Sequence, residues 1–529
     1  MRAGFSVGIW ALLLTASIGA ALLLYRPALS GPFLSDDGLY IDNPLVRDLS
    51  LGNALRILDP SGDAALSVSN YAPLHLLMHA AALRAFGDQP TGHHVVNIVL
   101  HALASVLLVA LCLESGLPRA AALCGGAVFL VHPANVEAVA WVSQLKSSAA
   151  LVLALLALLA YPRRPALASV CFALALLAKA HAVFALPVVA LFEWLRTGRV
   201  RWRWIALWAA MFAAFSVAEI TSHERNQGGG PTLRDDPFVW LRTIVAIAAR
   251  YLVMAATSLG VSTFHETEPA RSPFDPWFLA GLVALAGLGW RLAVTLKRRS
   301  VEAVFWVWAL LAFAPVSQIF PFLYPMADRY LYFIAPGLIG AALCVARDAA
   351  EKLPAQRRPA AGIAAGALVA AACVFFGWRS VERAAVWRSS ASLVADAAGH
   401  YPQGVSANIL RAKRAAQIGD VDGVVAALRA AEQRGYNRFE QIDADSAFDA
   451  MRDQPQFRAV VSEIAAGWIA RSRAREHPTQ QELQTVAHAH FVRGEKAEAI
   501  AVLRRALALG GPRDAQIRAD LEVVEAGSE

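Results

Sequence analysis

Charge is scarce in this sequence. Asp, Glu, Lys and Arg make up 17% of its 529 residues, against about 25% in a soluble globular protein. Cysteine is scarce too: Cys112, Cys124, Cys171, Cys344 and Cys373 all fall inside apolar runs without metal-type spacing. Neither a disulfide framework nor a zinc site is indicated. No large excess of one sign exists either. The net charge is +7, and the basic residues sit in short clusters between apolar runs. That pattern suits anchoring at a cytoplasmic membrane face and argues against nucleic-acid binding. What fills the chain is apolar: 57% of residues are hydrophobic and the mean hydropathy is +0.45. A disordered chain, a fibrous repeat and an ordinary cytosolic enzyme are all excluded. The excess belongs in lipid.

At roughly 20 residues per crossing the apolar runs supply about eleven transmembrane helices. The first, Phe5 to Tyr25, follows Met1-Arg2 and lacks a small-residue cleavage pattern, so it reads as an uncleaved helix. The others are expected near 92–114, 118–131, 146–161, 165–180, 183–195, 203–220, 276–296, 301–318, 331–346 and 360–378. With the N-terminus inside, Arg119, Arg163-Arg164, the group from Arg196 to Arg203, Lys297-Arg298-Arg299 and the stretch Arg347 to Arg358 all become cytoplasmic. The first loop, 26–91, then lies outside, and its apolar His-containing stretch Pro73–Phe86 suits the membrane surface. An odd crossing count puts the C-terminal part outside as well. Trp240–Val261 carries Arg242 and Arg250 and disturbs this count, so it is expected to be an interfacial or re-entrant helix.

Beyond about Ser380 the sequence becomes Ala-, Arg-, Glu- and Asp-rich and helical. Glu482–Leu509 and Ser406–Gly435 carry small and large apolar residues in tetratricopeptide order, and Asp445–Val461 resembles a closing segment. Helix pairs of this kind bury their faces only by stacking on neighbours. The expected architecture is therefore all-α: a polytopic membrane domain over 1–380 and an extracytoplasmic helical-repeat domain over 381–529.

Ionisable groups at membrane depth are costly unless paired or wet, which makes them candidates for function. Asp36-Asp37, about ten residues past the first helix, offer two carboxylates for general-base work or for a divalent cation. They are compatible with such a cation without requiring one, and Ser-Asp-Asp-Gly is also ordinary turn chemistry. His132-Pro133-Ala134-Asn135-Val136-Glu137, with Trp141, Gln144 and Lys146, reads as a helix opened by proline that sets Glu137 and Trp141 on one face. Lys179 and His181 mark another outer junction. So does Asp328-Arg329-Tyr330, after 321–325, where Arg329 offers a bidentate fork for phosphate; snorkelling is the plain alternative. His75 and His79 share a helical face, as do Asn97 and His101, and are read mainly as hydrogen-bonded interface residues.

FLSDDGLYIDNPLV, HHVVNIVLHA, FLVHPANVEAVAWVSQLKS, LLAKAHAVFALPV and YPMADRYLYF occur in this order ahead of the helical repeats. The series resembles the transmembrane and tetratricopeptide-repeat protein O-mannosyltransferases, of the GT-C glycosyltransferase superfamily. The chain departs from that pattern in its short repeat array and in Ala180, where an acidic residue is expected. The resemblance implies a GT-C-like core and a polyprenyl-phosphate sugar donor whose sugar lies at the outer face. It also gives Asp36-Asp37 the role of the first-loop catalytic motif. The chemistry then distributes itself. Asp36 takes the acceptor proton, helped by Asp37; Arg329, Lys179, Lys146 and His181 meet the departing phosphate; His132, Glu137, Asp328 and Tyr330 orient sugar and cations. The acceptor is expected to be a Ser or Thr hydroxyl of a protein, bound through 400–529. A transferase acting on lipid A or another glycan, a transporter and a non-catalytic scaffold are the competing readings. Heavy use of Ala and Arg points to a GC-rich bacterial genome, which would make the outer face periplasmic and the membrane the inner one.

Overall fold

The computed structural model describes residues 5–68, 70–224, 236–319, 325–473, 478–511 and 513–526. Residues 321–324 of the proline-rich stretch before Asp328 lie outside this set. Among the described residues all regular structure is helical and there is no strand, so the chain is an all-α multi-pass membrane protein. Nine helices among the described residues are long and apolar enough to cross a bilayer: Val7–Ala28, Pro90–Glu114, Val142–Ala160, Ala180–Thr197, Trp202–Ser222, Pro237–Thr257, Pro276–Lys297, Asp328–Lys352 and Ala355–Val386. Arg119–Val131 and Pro133–Ala140 together make a tenth, bent by 52° at His132. Pro165–Ala178 and Glu302–Val316 are shorter apolar helices.

The stretch expected to be interfacial or re-entrant is helical as far as Thr257. Pro237–Thr257 is an unbroken 21-residue helix with the length and composition of a crossing. Asp236 caps it by accepting from the N–H groups of Phe238 and Val239 at 3.0 and 3.1 Å. Its two arginines are accommodated by partners. Arg242 donates to the carbonyls of Ala270 and Arg271 at 3.1 and 2.9 Å, and Arg250 lies 4.6 Å over the Trp277 ring.

The chain divides into two units, one from residues 1–47, 72–216 and 233–392, the other from 48–71, 217–232 and 393–529. The first unit extends to 392, and part of the first loop groups with the second unit. The Arg358–Val386 helix runs past 380, where Ser380 Oγ donates to the Val131 carbonyl at 2.8 Å.

In the first unit the loops sort by end. Arg163 and Arg196 pair with Glu114 at 2.9 and 3.5 Å, and Arg201 pairs with Glu193. Buried Glu302 receives a fork from Arg291 at 2.7 and 2.6 Å. These clasps tie the basic turns together. The acidic first loop and the turns around 132–144, 179–181 and 326–330 gather at the other end, described below.

The second unit is built from antiparallel helix pairs, Val405–Gln417 with Val421–Gln433 and Gln480–Val492 with Lys496–Leu509. Gly419 and Gly494 make the turns at φ +75° and +77°, where a Cβ would be strained. Ala412, Ala416, Leu428, Phe448, Phe457 and Ala489 share one core; Leu483, Ala487, Ala499, Leu503 and Ile517 form a second. Small residues on one helix admit large ones from the next, as the repeat pattern predicts.

Candidate active site

The first loop reaches the site through an unusual backbone position. Ser35 has φ +52°, a left-handed conformation that few residues other than glycine adopt and that concentrates at functional sites. The chain turns there so that Asp36 faces outward and exposed while Asp37 faces inward, 1% exposed. Asp37 is fully occupied. Its carboxylate accepts from Leu34 N–H and Ser143 N–H, both at 2.7 Å, and from the Ser143 hydroxyl. Burial pushes its pKa up to about 6 against the pull of these donors. The Trp141 indole fastens the same loop by donating to the Leu34 carbonyl at 3.2 Å, and its ring stacks on Trp387 at 5.6 Å.

The HPANVEAVAW segment is not the continuous helix its spacing predicts. Pro133–Asn135 forms a 3-10 turn, Val136–Ala140 a short helix, and Trp141 is extended before the Val142–Gln144 turn. A broken helix at membrane depth leaves backbone groups without partners unless neighbouring side chains supply them. Here they do. On the Pro90–Glu114 helix, Asn97 donates to the Trp141 carbonyl at 3.0 Å and His101 meets the Leu130 carbonyl at 3.1 Å. Asn135 donates to the Phe129 carbonyl at 2.7 Å. The break aims Glu137, Ser143, Gln144 and Lys146 at one place.

Glu137 is 2% exposed. It accepts from the Arg329 backbone N–H at 2.7 Å and forms an ion pair with the Arg329 guanidinium. The guanidinium lies 5.5 Å over Trp141 and 5.0 Å over Tyr330, and the Asp36 charge reaches it. Lys146 donates to the Tyr40 hydroxyl at 3.1 Å. Lys179 donates to Ser147 Oγ at 2.7 Å and to Gln144 Oε1 at 3.5 Å, beneath the Phe333 ring. His181 stacks with Tyr330 at 6.0 Å, its Nε2 buried and without a partner. Lys146, Lys179, Arg329 and His181 all act on one another electrostatically. The three permanent cations face one buried carboxylate, Glu137, and it is paired with Arg329. Among the described residues Lys146 and Lys179 hydrogen-bond only to neutral groups. Half-buried ammonium groups without a carboxylate partner are expensive, and such a cluster is a preorganised anion site.

Two predicted residues are placed elsewhere. His132 donates through Nε2 to the Ala255 carbonyl at 3.0 Å and accepts from Ala134 N–H through Nδ1 at 3.2 Å. With both ring nitrogens used by backbone groups, it braces the helix break. Asp328 accepts from Ser262 N–H and from His265 Nε2, the latter at 2.7 Å, with Arg383 at 3.9 Å. It anchors the 258–265 turn, leaving its neighbour Arg329 to face the cations. Among the described residues no group of three or more His, Cys, Asp or Glu is placed to hold a metal ion. Asp37, with three donors on its two oxygens, is poorly disposed to be a ligand. Asp36, Asp37, Glu137, Lys146, Lys179, His181, Arg329 and Tyr330 are brought together. Ser143, Tyr40, Ser147 and Asn97 belong to the same constellation; as common neutral residues they carried no distinct signal.

No family model matches the chain. It is 36% identical over 149 residues to protein O-mannosyl-transferase Tmtc1 of Drosophila melanogaster, a stretch covering 27% of this chain and 17% of that protein. With protein O-mannosyl-transferase TMTC1 of Mus musculus it shares 32% over 154 residues, 27% of this chain and 16% of that one. The chain therefore matches under a fifth of the length of these curated relatives. Among solved structures, the Archaeoglobus fulgidus oligosaccharyltransferase tethered with an acceptor peptide is 14% identical at a TM-score of 0.39, covering 72% of this chain and 56% of that one. ArnT from Cupriavidus metallidurans bound to undecaprenyl phosphate is 15% identical at a TM-score of 0.36, covering 88% and 81%. Over about a quarter of its length, the chain is similar to the transmembrane and tetratricopeptide-repeat protein O-mannosyltransferases that its motifs resemble.

Proposed function

We propose that this protein is a membrane glycosyltransferase that moves a monosaccharide, mannose or a similar hexose, from a polyprenyl-phosphate donor to an acceptor hydroxyl. One observation carries the reading: the two ammonium groups of Lys146 and Lys179, unpaired with any acid, beside Arg329 and within reach of the exposed Asp36. The charge arithmetic favours a phosphate leaving group. A sugar phosphodiester carries one negative charge. When the C–O bond to the sugar breaks, the departing phosphate monoester carries nearly two, since its second pKa lies near 6. A site where Lys146 and Lys179 stand beside Arg329 without acidic partners of their own fits the departing group better than the bound donor, and catalysis lies in that difference.

A serine or threonine hydroxyl is a weak nucleophile at neutral pH. Asp36 accepts its proton as the oxygen attacks the anomeric carbon. The sugar–phosphate bond breaks on the opposite side, and its electron pair leaves with the phosphate held by Arg329, Lys179 and Lys146. A single displacement inverts the anomeric configuration. Asp37 fixes the loop that presents Asp36, and Glu137 fixes Arg329. The donor set supports no step through a metal ion, and none is invoked. The helical-repeat unit supports a polypeptide acceptor, the sidedness of the basic turns supports an active site on the outer, periplasmic face, and the composition supports a bacterial inner membrane.

The test is transfer of radiolabelled hexose from a defined polyprenyl-phosphate donor by the purified protein in nanodiscs. Transfer by the native protein and its loss in a folded Asp36→Asn variant are expected. Retained activity in that variant removes Asp36 as the base. If glycolipid carries the label while proteins carry none, the acceptor class is overturned.

A further inference from the structure

His75 and His79 lie one turn apart on the Pro73–Phe86 helix, both fully buried, with their Nε2 atoms facing at 2.8 Å. One ring must donate and the other accept, so the contact couples the two tautomers and fixes the orientation of both rings. The pair does not suit a cation. It supplies two donors where a stable site needs more, and the nearby charges that act on His75 are those of Lys146 and Lys179. Burial holds the His79 imidazole down to about 3, with His93 and Lys146 adding to the effect. The two rings are a neutral, rigid wall.

What that wall touches is Tyr40, three residues after Asp37 and 3% exposed. The Tyr40 ring stacks on His79 at 5.3 Å and 15°, and meets His75 edge-on at 4.5 Å. Its hydroxyl accepts from Lys146 Nζ at 3.1 Å, and the same ammonium lies 5.4 Å from the ring centroid. A lysine has a four-carbon stem and about 2 kcal/mol of rotamer entropy. It needs a fixed acceptor to be held in one place, and Lys146 has no acidic partner. Tyr40 is that acceptor, itself gripped on two sides.

We propose that Tyr40 is the positioning residue that holds Lys146 toward the donor phosphate, and that the facing His75–His79 pair is the support that fixes Tyr40. This rests on the anion site assigned above. Tyr40→Phe removes one oxygen and keeps both ring contacts. Undecaprenyl phosphate binding and sugar transfer are measured for the native protein, Tyr40→Phe, Lys146→Gln and the double variant. Expected is roughly ten-fold weaker binding in Tyr40→Phe, the scale of one hydrogen bond to a charged group, and a higher KM for the lipid donor with an unchanged KM for the acceptor. In the Lys146→Gln background Tyr40→Phe adds less than two-fold. His79→Phe, which keeps the stack and breaks the His–His contact, weakens binding in the same direction, again only when Lys146 is present. Effects of Tyr40→Phe and Lys146→Gln that multiply overturn the assignment of Tyr40, even where transfer occurs. Coupled binding without any sugar transfer upholds Tyr40 and overturns the glycosyl-transfer reading. Failure of the native protein to bind undecaprenyl phosphate overturns both.

Discussion

Replacing Lys179 by methionine should make the protein more stable and less active. The ammonium of Lys179 feels the like charges of Lys146 and Arg329 and the opposite charge of Glu137. Each charge at this depth is worth about 1–2 kcal/mol at an effective dielectric near 20. Two repulsions against one attraction leave a net penalty of about 1–2 kcal/mol, and the desolvation of a half-buried ammonium adds to it. Against this stands the hydrogen bond to Ser147, worth about 1 kcal/mol. Methionine keeps the length of the stem, and Ser147 Oγ still donates to Gln144 Oε1 at 2.7 Å, so no donor is orphaned. The expected balance is a gain of about 1 kcal/mol, read as a higher midpoint in tryptophan-monitored thermal unfolding of the purified protein. Transfer should fall about 10²–10³-fold, the usual effect of removing one preorganised group from a developing anion. Undecaprenyl phosphate should raise the native midpoint more than that of the variant. A variant that is destabilised by more than 1 kcal/mol with full activity shows a structural lysine and refutes the anion-site argument.

Asp37 has a folded pKa raised from 3.8 to about 6 by burial. Its unfolded form loses the proton first, so its contribution to stability is present below about pH 4 and lost as pH rises to about 6. The difference amounts to about 3 kcal/mol, and a denaturation series across that window should show a step that is absent in Asp37→Asn. Glu137→Gln removes the only carboxylate paired with Arg329 among the described residues. It should destabilise by about 3–5 kcal/mol and abolish transfer, checked by unfolding midpoint and donor turnover. Ser35→Gly should be tolerated at φ +52°. Ser35→Val should cost about 1–3 kcal/mol and slow transfer, since it bends the turn that presents Asp36.

How far the sequence carries depends on what kind of signal a residue gives. Long apolar runs announce membrane helices because nothing else accommodates them, and most of the expected spans are seen. Pro237–Thr257 was set apart from the crossings because Arg242 and Arg250 look like charges in lipid; their carbonyl and indole partners lie 20–30 residues away along the chain. Charged residues at span ends also announced themselves, which is why Glu137, Lys146, Lys179 and Arg329 were legible before any geometry. Asp36 was given the base role and Asp37 the helper role without the geometry that distinguishes them. Adjacent identical carboxylates differ only through the sign of one backbone angle at Ser35 and through Ser143, 106 residues on. His132 and Asp328 were assigned to the pocket with their motif neighbours; His132 bonds to the backbone at Ala134 and Ala255, and Asp328 to Ser262 N–H and the His265 side chain. The break at Trp141 was hidden because its stitching by Asn97 and His101 comes from another helix.

The clasp between Asp37 and Ser143 has a consequence for biogenesis. Helices of this length can enter a bilayer one after another, each satisfying its own backbone, and that step does not require residues 34–37 to have met residues 141–143. A molecule can thus be fully inserted and protease-resistant while still chemically silent, with competence arriving only at a later docking event. Defects that slow this docking would leave normal amounts of protein in the membrane and no product.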